Sequence, residues 1–210
     1  MIRITIESAR PLLPQLTIAV EAIRRGEVVA FPTDTLYGLA VDPRSEVALE
    51  ALFALKGRSA DRVVALVGAT LAQADEVADI EGTARRLADR FWPGPLTLVV
   101  PARPQVASLA RSADRLVGIR VPAHPVARAL AEACGHALTA TSANVSGQPA
   151  TSSPEDVARA LPGVAVLVDA GPSPGGPPST LIEAVTGDIR LLREGVLPWS
   201  RVLEFLSSPS

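Results

Sequence analysis

The 210-residue sequence contains a single cysteine, Cys134, and no apolar run as long as a membrane span. One cysteine cannot form a disulfide within the chain, which fits a reducing compartment. A membrane-spanning helix needs roughly 20 consecutive apolar residues, and the opening Met1-Ile2-Arg3 does not resemble a signal peptide. We therefore expect a cytoplasmic protein that makes no use of a membrane.

Aromatic residues are scarce, at 3% of the chain, and the formal net charge is −2. Proteins that bind nucleic acids usually present a basic face, and those that bind single strands stack bases on aromatic side chains. Both features weigh against RNA binding as the main function.

Common catalytic patterns are also missing from the sequence. There is no G-x-x-x-x-G-K-[ST] phosphate loop and no G-x-G-x-x-G fingerprint. Two histidines and one cysteine are too few for a typical zinc site, and we expect no protein-bound metal centre. No serine or cysteine has the local signature of a known nucleophile family. Any nucleotide chemistry must therefore rest on positioned cations and backbone N–H donors.

What the sequence does contain is a polar loop between a predicted strand and a predicted helix. Glu27–Phe31 is typical of a buried strand, and Pro32 ends its pairing because proline has no N–H to donate. In open α/β sheets, ligands bind just beyond the ends of strands. The side chains available there are Thr33, Asp34, Thr35 and Tyr37.

Two cations lie at the end of the helix that follows this loop. Ser45 can cap a helix that runs to Lys56, and Arg58 comes two residues later. Lys56 is the single lysine among 20 lysine and arginine residues, which favours a compact point charge there over a planar guanidinium. A lysine left by chance at a solvated helix end is an equally good interpretation.

Predicted helices and strands alternate irregularly along the chain. Amphipathic or capped segments predict helices over Pro14–Arg25, Ser45–Lys56, Leu71–Ala78, Thr83–Phe91, Pro125–Cys134, from Ser153 onward, and over Trp199–Leu206. Apolar segments predict strands over Glu27–Phe31, Val63–Val67, Leu96–Val100, Leu116–Val121, Ala137–Thr141, Val164–Asp169, Thr180–Val185 and Ile189–Arg193. The pattern is typical of an α/β fold with a mixed sheet. We expect one domain over residues 1–206 and a short tail over 207–210.

Two more segments carry polar groups at or within strands. Thr139–Gly147 exposes hydroxyls and backbone N–H groups that suit phosphate oxygens, although serine, asparagine and glycine also form ordinary turns. Arg120 lies inside an apolar strand and needs an anionic partner there. That partner is either a structural carboxylate or a substrate.

Phe31–Arg58 resembles the YrdC family of L-threonylcarbamoyladenylate synthases, whose hallmark is a P-T-D/E-T-x-Y-G-L loop followed by K-x-R. Other segments match family patterns as well: G-x-R-x-P-x-H-P around Arg120, S-x-N at Ser142–Asn144, and the segments Pro93–Thr97, Gly175–Thr180 and Arg190–Gly195. The resemblance implies one twisted, mixed open sheet flanked by helices around a large cleft. It indicates the short form of the family, without the additional C-terminal domain.

The resemblance also implies an activity and a set of partners. The enzyme would form threonylcarbamoyl-AMP and pyrophosphate from L-threonine, bicarbonate and ATP, and we expect Mg²⁺ on the pyrophosphate. The product would pass to a separate transferase that modifies adenosine beside the tRNA anticodon, so contact with tRNA itself would be weak or indirect. The alternatives are a related carbamoyl-adenylate enzyme with another acceptor and an RNA-binding module of the same fold.

The matched motifs assign roles to individual residues. Lys56 and Arg58 would be catalytic, Thr35, Arg120 and Ser179 would bind L-threonine, and Pro93–Thr97 would be architectural. The nucleotide would be bound by Lys56, Arg58, Arg62, Ser142, Asn144 and Arg193. We expect His124 to be a helix-start or packing residue rather than a proton carrier.

The chain departs from the family pattern just after Arg58. Ser59 and Val63 replace two prolines, and Val67 replaces a histidine that would lie near the threonine site. The loss of this polar group leaves open whether the acceptor is threonine or another small molecule.

Overall fold

The structure is a computed structural model that describes residues 1–57, 64–185 and 187–208. The strands of this part of the chain are β1 (Ile2–Thr5), β2 (Val29–Phe31), β3 (Gly38–Ala40), β4 (Ala65–Val67), β5 (Leu96–Pro101), β6 (Leu116–Arg120), β7 (Leu138–Thr139), β8 (Thr141–Ser142), β9 (Val166–Asp169), β10 (Thr180–Val185) and β11 (Asp188–Arg193). The helices are α1 (Leu12–Gln15), α2 (Thr17–Arg24), α3 (Glu46–Lys56), α4 (Leu71–Asp75), α5 (Gly82–Phe91), α6 (Pro125–Cys134), α7 (Pro154–Ala160) and α8 (Trp199–Ser207).

The strands form two mixed sheets. The first has the order β1-β9-β2-β3-β8, in which β9 runs parallel to β1 and β2 while β3 runs antiparallel to β2 and β8. The second has the order β11-β10-β5-β6-β4-β7, with parallel pairs β10–β5 and β4–β6 and antiparallel pairs elsewhere. The α/β class predicted from the sequence is confirmed, but the strands divide between two sheets.

Two apolar clusters hold these layers together. One contains buried residues of α3, including Leu49 and Leu52, together with residues of the second sheet such as Leu98. The other joins α2 and α6 to the first sheet, with Ile23 and Leu130 fully or almost fully buried. No helix of the described residues is both long and apolar enough to cross a bilayer.

Helix α3 has the Ser45 cap and the end at Lys56 that its sequence predicts. The Ser45 side chain accepts a hydrogen bond from the Ala48 N–H at 3.2 Å, which satisfies one of the free donors of the first turn. Gly57 ends the helix with φ of 60°, a left-handed conformation that favours glycine. These two signals fix Lys56 in the last turn.

Two predicted elements are each divided in the structure, and two observed strands were not predicted. The helix predicted over Pro14–Arg25 is two helices, α1 and α2, which meet at Leu16. The strand predicted over Ala137–Thr141 is β7 and β8, which pair with different sheets on either side of Ala140. Strands β1 and β3 have no counterpart in the sequence-based prediction, because each is short and acquires its strand partners from remote segments.

Candidate functional site

A cavity of about 480 Å³ is lined by residues of both sheets. Sites for small ligands commonly have volumes of roughly 300–1,000 Å³. Five of the residues predicted to bind substrates meet there: Thr35, Arg120, Ser142, Ser179 and Arg193. The motifs that the sequence spreads over more than half of the chain therefore contribute to one site.

The loop after β2 forms one wall of the cavity and is held by its own hydroxyls. The Thr33 hydroxyl donates to the Leu36 carbonyl at 2.7 Å and accepts from the Thr35 N–H at 3.2 Å. The Thr35 carbonyl accepts from the Gly175 N–H at 2.9 Å. Thr33 and Thr35 are each 5% exposed, so the loop presents ordered hydroxyls to the cavity.

Tyr37 contributes a phenol to the same wall. Its hydroxyl donates to the Gly171 carbonyl at 2.7 Å. Burial is the main cause of a raised pKa for Tyr37, and the carboxylate of Asp169 adds to it. The phenol is therefore neutral at physiological pH, and its proton is engaged in a structural hydrogen bond.

Arg120, at the end of β6, is 6% exposed and lies deep in the cavity wall. Its Nε donates to the Gly94 carbonyl at 3.0 Å, its Nη2 forms an ion pair with Asp34, and its Nη1 lies 3.4 Å from the Thr35 hydroxyl. Burial lowers the pKa of Arg120, while the charge of Asp34 opposes that shift. Of the two partners that the sequence left open, the structure shows the structural carboxylate.

Ser179, which directly precedes β10, faces Thr97 of the neighbouring strand β5. Their hydroxyl oxygens lie 2.7 Å apart. Ser179 is 7% exposed and Thr97 is 2% exposed. Thr97 belongs to the segment predicted to be architectural, yet it lines the cavity. The sequence signal for Thr97 was a hydroxyl inside an apolar strand directly after Pro93-Gly94-Pro95.

Arg193, on β11, reaches the cavity from the other side. Its Nη2 donates to the Ser179 carbonyl at 2.9 Å. Burial lowers its pKa, and no carboxylate in the described part of the chain forms an ion pair with it. Arg193 is exposed as a residue and lines the cavity, so its guanidinium can form charge-assisted hydrogen bonds with an anionic ligand there.

Lys56 is buried behind the Ser142–Asn144 segment, with an exposure of 3%. Its ammonium lies 2.5 Å from the Ser142 carbonyl, 2.8 Å from the Asn144 carbonyl and 3.3 Å from Asn144 Oδ1. The interpretation of Lys56 as a solvated helix-end residue is therefore wrong. Ser142 lines the cavity. Lys56 and Asn144 are not among the lining residues, but each forms a hydrogen bond with Ser142.

Several predicted site residues lie outside the described residues. These are Arg58 and Arg62, together with the substituted positions Ser59 and Val63. Val67 is described, is 3% exposed, and lines the cavity. His124 is the N-terminal cap residue of α6, as predicted, and burial lowers its pKa.

The described residues include no cluster of three or more His, Cys, Asp or Glu side chains suited to hold a metal ion. The polar lining of the cavity consists instead of hydroxyls and guanidinium groups. Such a lining suits carboxylate and phosphate oxygens rather than a bare cation.

Comparison with known proteins relates the chain to one family. The model of the Sua5/YciO/YrdC family, described as "Telomere recombination", matches residues 21–195. The chain is 38% identical over 190 residues to threonylcarbamoyl-AMP synthase of Pyrococcus abyssi, covering 90% of this chain and 56% of that protein. It is 38% identical over 188 residues to threonylcarbamoyl-AMP synthase of Vibrio cholerae, covering 88% of this chain and 99% of that protein.

The fold has a close match among solved structures. The crystal structure of P. abyssi Sua5 complexed with L-threonine has a TM-score of 0.90 at 35% identity, over 98% of this chain and 60% of that chain. The present chain thus spans slightly more than half of the Pyrococcus relative and nearly all of the Vibrio one.

Proposed function

The chain belongs to the Sua5/YciO/YrdC family, and on this premise we propose that it is an L-threonylcarbamoyladenylate synthase. In the proposed reaction, the amine of L-threonine attacks carbon dioxide derived from bicarbonate and loses a proton, which gives a carbamate. A carbamate oxygen then attacks the α-phosphorus of ATP. The bond from that phosphorus to the pyrophosphate oxygen breaks, and threonylcarbamoyl-AMP and pyrophosphate leave the site.

The observation that carries this proposal is the presence of two arginines in one cavity. Arg120 lies beside the Thr35 hydroxyl, and Arg193 lies beside Ser179 without a carboxylate partner in the described part of the chain. The reaction brings together a carboxylate and a triphosphate, and each needs a cation. Charge-assisted hydrogen bonds from guanidinium groups are suited to both anions.

We assign the amino-acid subsite to Arg120, Thr35 and Ser179. The guanidinium of Arg120 would bind the α-carboxylate, and the two hydroxyls would bind polar groups of the substrate. All three side chains are buried and line the cavity. Their hydrogen bonds would therefore form in a site of low dielectric constant, where they are stronger than in water.

We assign the nucleotide subsite to Arg193 and the Ser142–Asn144 segment, supported from behind by Lys56. Arg58 and Arg62 belong to this subsite by their place in the motif and lie outside the described residues. The ammonium of Lys56 fixes the two carbonyls of Ser142 and Asn144. A fixed segment presents its hydroxyl and N–H groups to a phosphate without reorganisation during the reaction.

The proposed reaction needs no side-chain nucleophile. Holding the reactants in a productive geometry and neutralising the charge on the phosphates can supply most of the rate enhancement. Mg²⁺ would enter with ATP and neutralise the departing pyrophosphate, which fits a site lined by hydroxyls and guanidinium groups. The role of the protein side chains is to bind and orient the reactants and to exclude water from the site.

We further propose that the product is used in the cytoplasm by a separate transferase that modifies adenosine in tRNA. A mixed anhydride between a carbamate and AMP is reactive toward an amine, such as the exocyclic amine of adenosine. Its consumption by a second protein would leave this chain with no need for tight binding of tRNA.

The deciding experiment measures pyrophosphate release with ATP, labelled bicarbonate and each amino acid in turn. We expect release to require both bicarbonate and an amino acid, with L-threonine the best substrate and L-serine weaker. Incorporation of the label into an acid-labile adenylate would identify the product. Pyrophosphate release that is independent of every amino acid would refute the proposal.

Val67 supports a second candidate, a related carbamoyl-adenylate enzyme with another acceptor. Val67 is an apolar residue of the cavity wall, which also contains Leu66, Val99 and Leu181. An apolar wall does not require a hydroxyl on the acceptor. Turnover with carbamoyl phosphate in place of bicarbonate and threonine would favour this candidate.

A further inference from the structure

The ion pair between Arg120 and Asp34 occupies the place where the proposed substrate carboxylate would bind. Asp34 accepts a hydrogen bond from Arg120 Nη2. The side chain of Arg120 is 7% exposed and that of Asp34 is 14% exposed. Among the described residues, the carboxylate of Asp34 forms hydrogen bonds with Arg120 alone. A buried cation needs an anion nearby, and Asp34 provides it.

The position of Arg120 does not depend on Asp34. The residue ends β6, in register with Val67 of β4. Its Nε is held at 3.0 Å from the Gly94 carbonyl. The guanidinium therefore keeps its orientation toward the cavity when its anionic partner changes.

The Asp34 side chain can leave without disturbing its loop. The backbone is anchored on both sides of it, by the Thr33 hydroxyl to the Leu36 carbonyl at 2.7 Å and by the Gly175 N–H to the Thr35 carbonyl at 2.9 Å. Neither anchor uses the carboxylate of Asp34. Rotation about the Asp34 side-chain bonds is enough to free Arg120.

We propose that Asp34 is a resident carboxylate that competes with the α-carboxylate of the amino-acid substrate for Arg120, and so determines affinity and specificity. This inference rests on the proposed function, which places that carboxylate at Arg120. A ligand must replace the Asp34 contact, so its apparent affinity is lower than its affinity for an open Arg120. A ligand without an anionic group cannot take the place of Asp34 at Arg120 and gains no affinity from this contact.

The test compares ligand binding to the wild type and to Asp34→Asn by calorimetry. The decisive probe is (R)-3-hydroxybutyrate, which has the carboxylate and hydroxyl of threonine but no amine, so that any contact of Asp34 with the ammonium group cannot contribute. We expect Asp34→Asn to bind this probe about tenfold more tightly or better, which corresponds to ~1.4 kcal/mol. The amide is close in shape and removes the competing charge.

Asp42→Asn serves as the matched control. Asp42 is also a partly buried carboxylate with an arginine partner, Arg44, at 2.7 and 2.9 Å, and it is not part of the cavity lining. We expect its affinity for the probe to equal that of the wild type. A gain of similar size in both variants would overturn the inference, because it would reflect net charge and not the contact with Arg120.

The inference and the proposed function can fail separately. If L-threonine binds the wild type and Arg120→Gln abolishes binding, but Asp34→Asn leaves affinity for the probe unchanged or weaker, the competition does not exist. If L-threonine binds neither the wild type nor Asp34→Asn, the proposed function itself is wrong. If Asp34→Asn does not fold, a crystal structure of the wild type with L-threonine decides. A carboxylate of the ligand on Arg120, with Asp34 moved away, supports the inference, and an intact Asp34–Arg120 pair beside bound threonine overturns it.

Discussion

The hydroxyl oxygens of Thr97 and Ser179 lie 2.7 Å apart in the cavity, although 82 positions separate the two residues in the chain. Thr97 belongs to β5, and Ser179 immediately precedes β10, the parallel neighbour of β5. Because the strands hold both side chains in place, the pair forms a rigid polar group within a largely apolar wall. Ser179 is proposed to bind the amino-acid substrate, and on the basis of this contact we propose that Thr97 belongs to the same subsite.

The first prediction follows from that contact. Thr97→Val keeps the shape of the side chain but removes the partner of the Ser179 hydroxyl, whose orientation is then no longer fixed. A neutral hydrogen bond contributes about 0.5–1.5 kcal/mol, so we expect the KM for L-threonine to rise roughly 2- to 12-fold. The measurement is the initial rate of pyrophosphate release at varied threonine and saturating ATP.

Thr139→Val is the control for this prediction. Thr139 is also a buried threonine, but its hydroxyl bonds the Leu39 carbonyl and the Val41 N–H, both at 2.9 Å, away from the cavity lining. Its loss should lower the Tm and leave the KM near the wild-type value. A raised KM in Thr139→Val, or an unchanged one in Thr97→Val, would contradict the assignment.

The second prediction concerns Arg193. Replacement by glutamine removes the cation that faces the cavity without a carboxylate partner in the described part of the chain. Hydrogen bonds to charged groups contribute about 1.5–3 kcal/mol, so we expect the KM for ATP to rise roughly 10- to 150-fold. The affinity for L-threonine should change little, as measured by calorimetry without nucleotide.

Arg190→Gln provides the comparison on the same strand. Arg190 is 69% exposed in its side chain and pairs with Glu183 at 3.0 Å. A surface ion pair contributes about 0–1 kcal/mol, so neither KM nor Tm should move appreciably. Equal effects of the two substitutions would show that Arg193 acts through general charge and does not contact the nucleotide.

The third prediction concerns Lys56. Lys56→Arg preserves the charge but introduces a larger planar group at a position that is 3% exposed and lies within 3.3 Å of three oxygens. Overpacking of a buried site costs about 1–3 kcal/mol, and the Ser142–Asn144 segment should shift. We expect a loss of activity of at least about tenfold together with a lower Tm.

Arg24→Lys is a suitable counterpart, because Arg24 is an exposed cation in the last turn of α2. Exchange of one cation for the other there should leave both activity and Tm unchanged. Full activity and an unchanged Tm in Lys56→Arg would mean that the geometry of the ammonium is unimportant.

The fourth prediction concerns RNA. The net charge of −2 and the low aromatic content predict weak binding of tRNA at physiological ionic strength. Fluorescence anisotropy with labelled tRNA at several salt concentrations would measure both the affinity and its salt dependence. A submicromolar Kd at physiological salt, in a protein that shows no ATP turnover, would favour the RNA-binding alternative over the enzyme.

Local sequence was sufficient for features that depend on neighbouring residues. The Ser45 cap starts α3 and the helix ends at Lys56, both as predicted, because capping signals act within one helical turn. The Ser153 cap and Pro154 start α7 for the same reason. The mixed α/β class also followed from the pattern of apolar segments, since each element needs a matching apolar face.

Tertiary structure decided which sheet each strand joins. The Ala137–Thr141 segment is uniformly suited to a strand, and no local signal divides it. Yet β7 pairs with β4 and β8 pairs with β3, so Ala140 marks the passage between the two sheets. The division arises from partners that lie far along the chain.

The same distinction applies to the site. The sequence by itself determined which chemical groups are available: the hydroxyls of the loop after β2, a lysine at the end of α3 and an arginine inside β6. Only the tertiary structure decided that Arg120 meets Asp34, 86 positions away, and that Lys56 points to the carbonyls of Ser142 and Asn144. Burial makes an unpaired cation costly, so a buried cation requires a polar partner. Which residue serves as that partner depends on how remote elements pack, and the local sequence does not specify it.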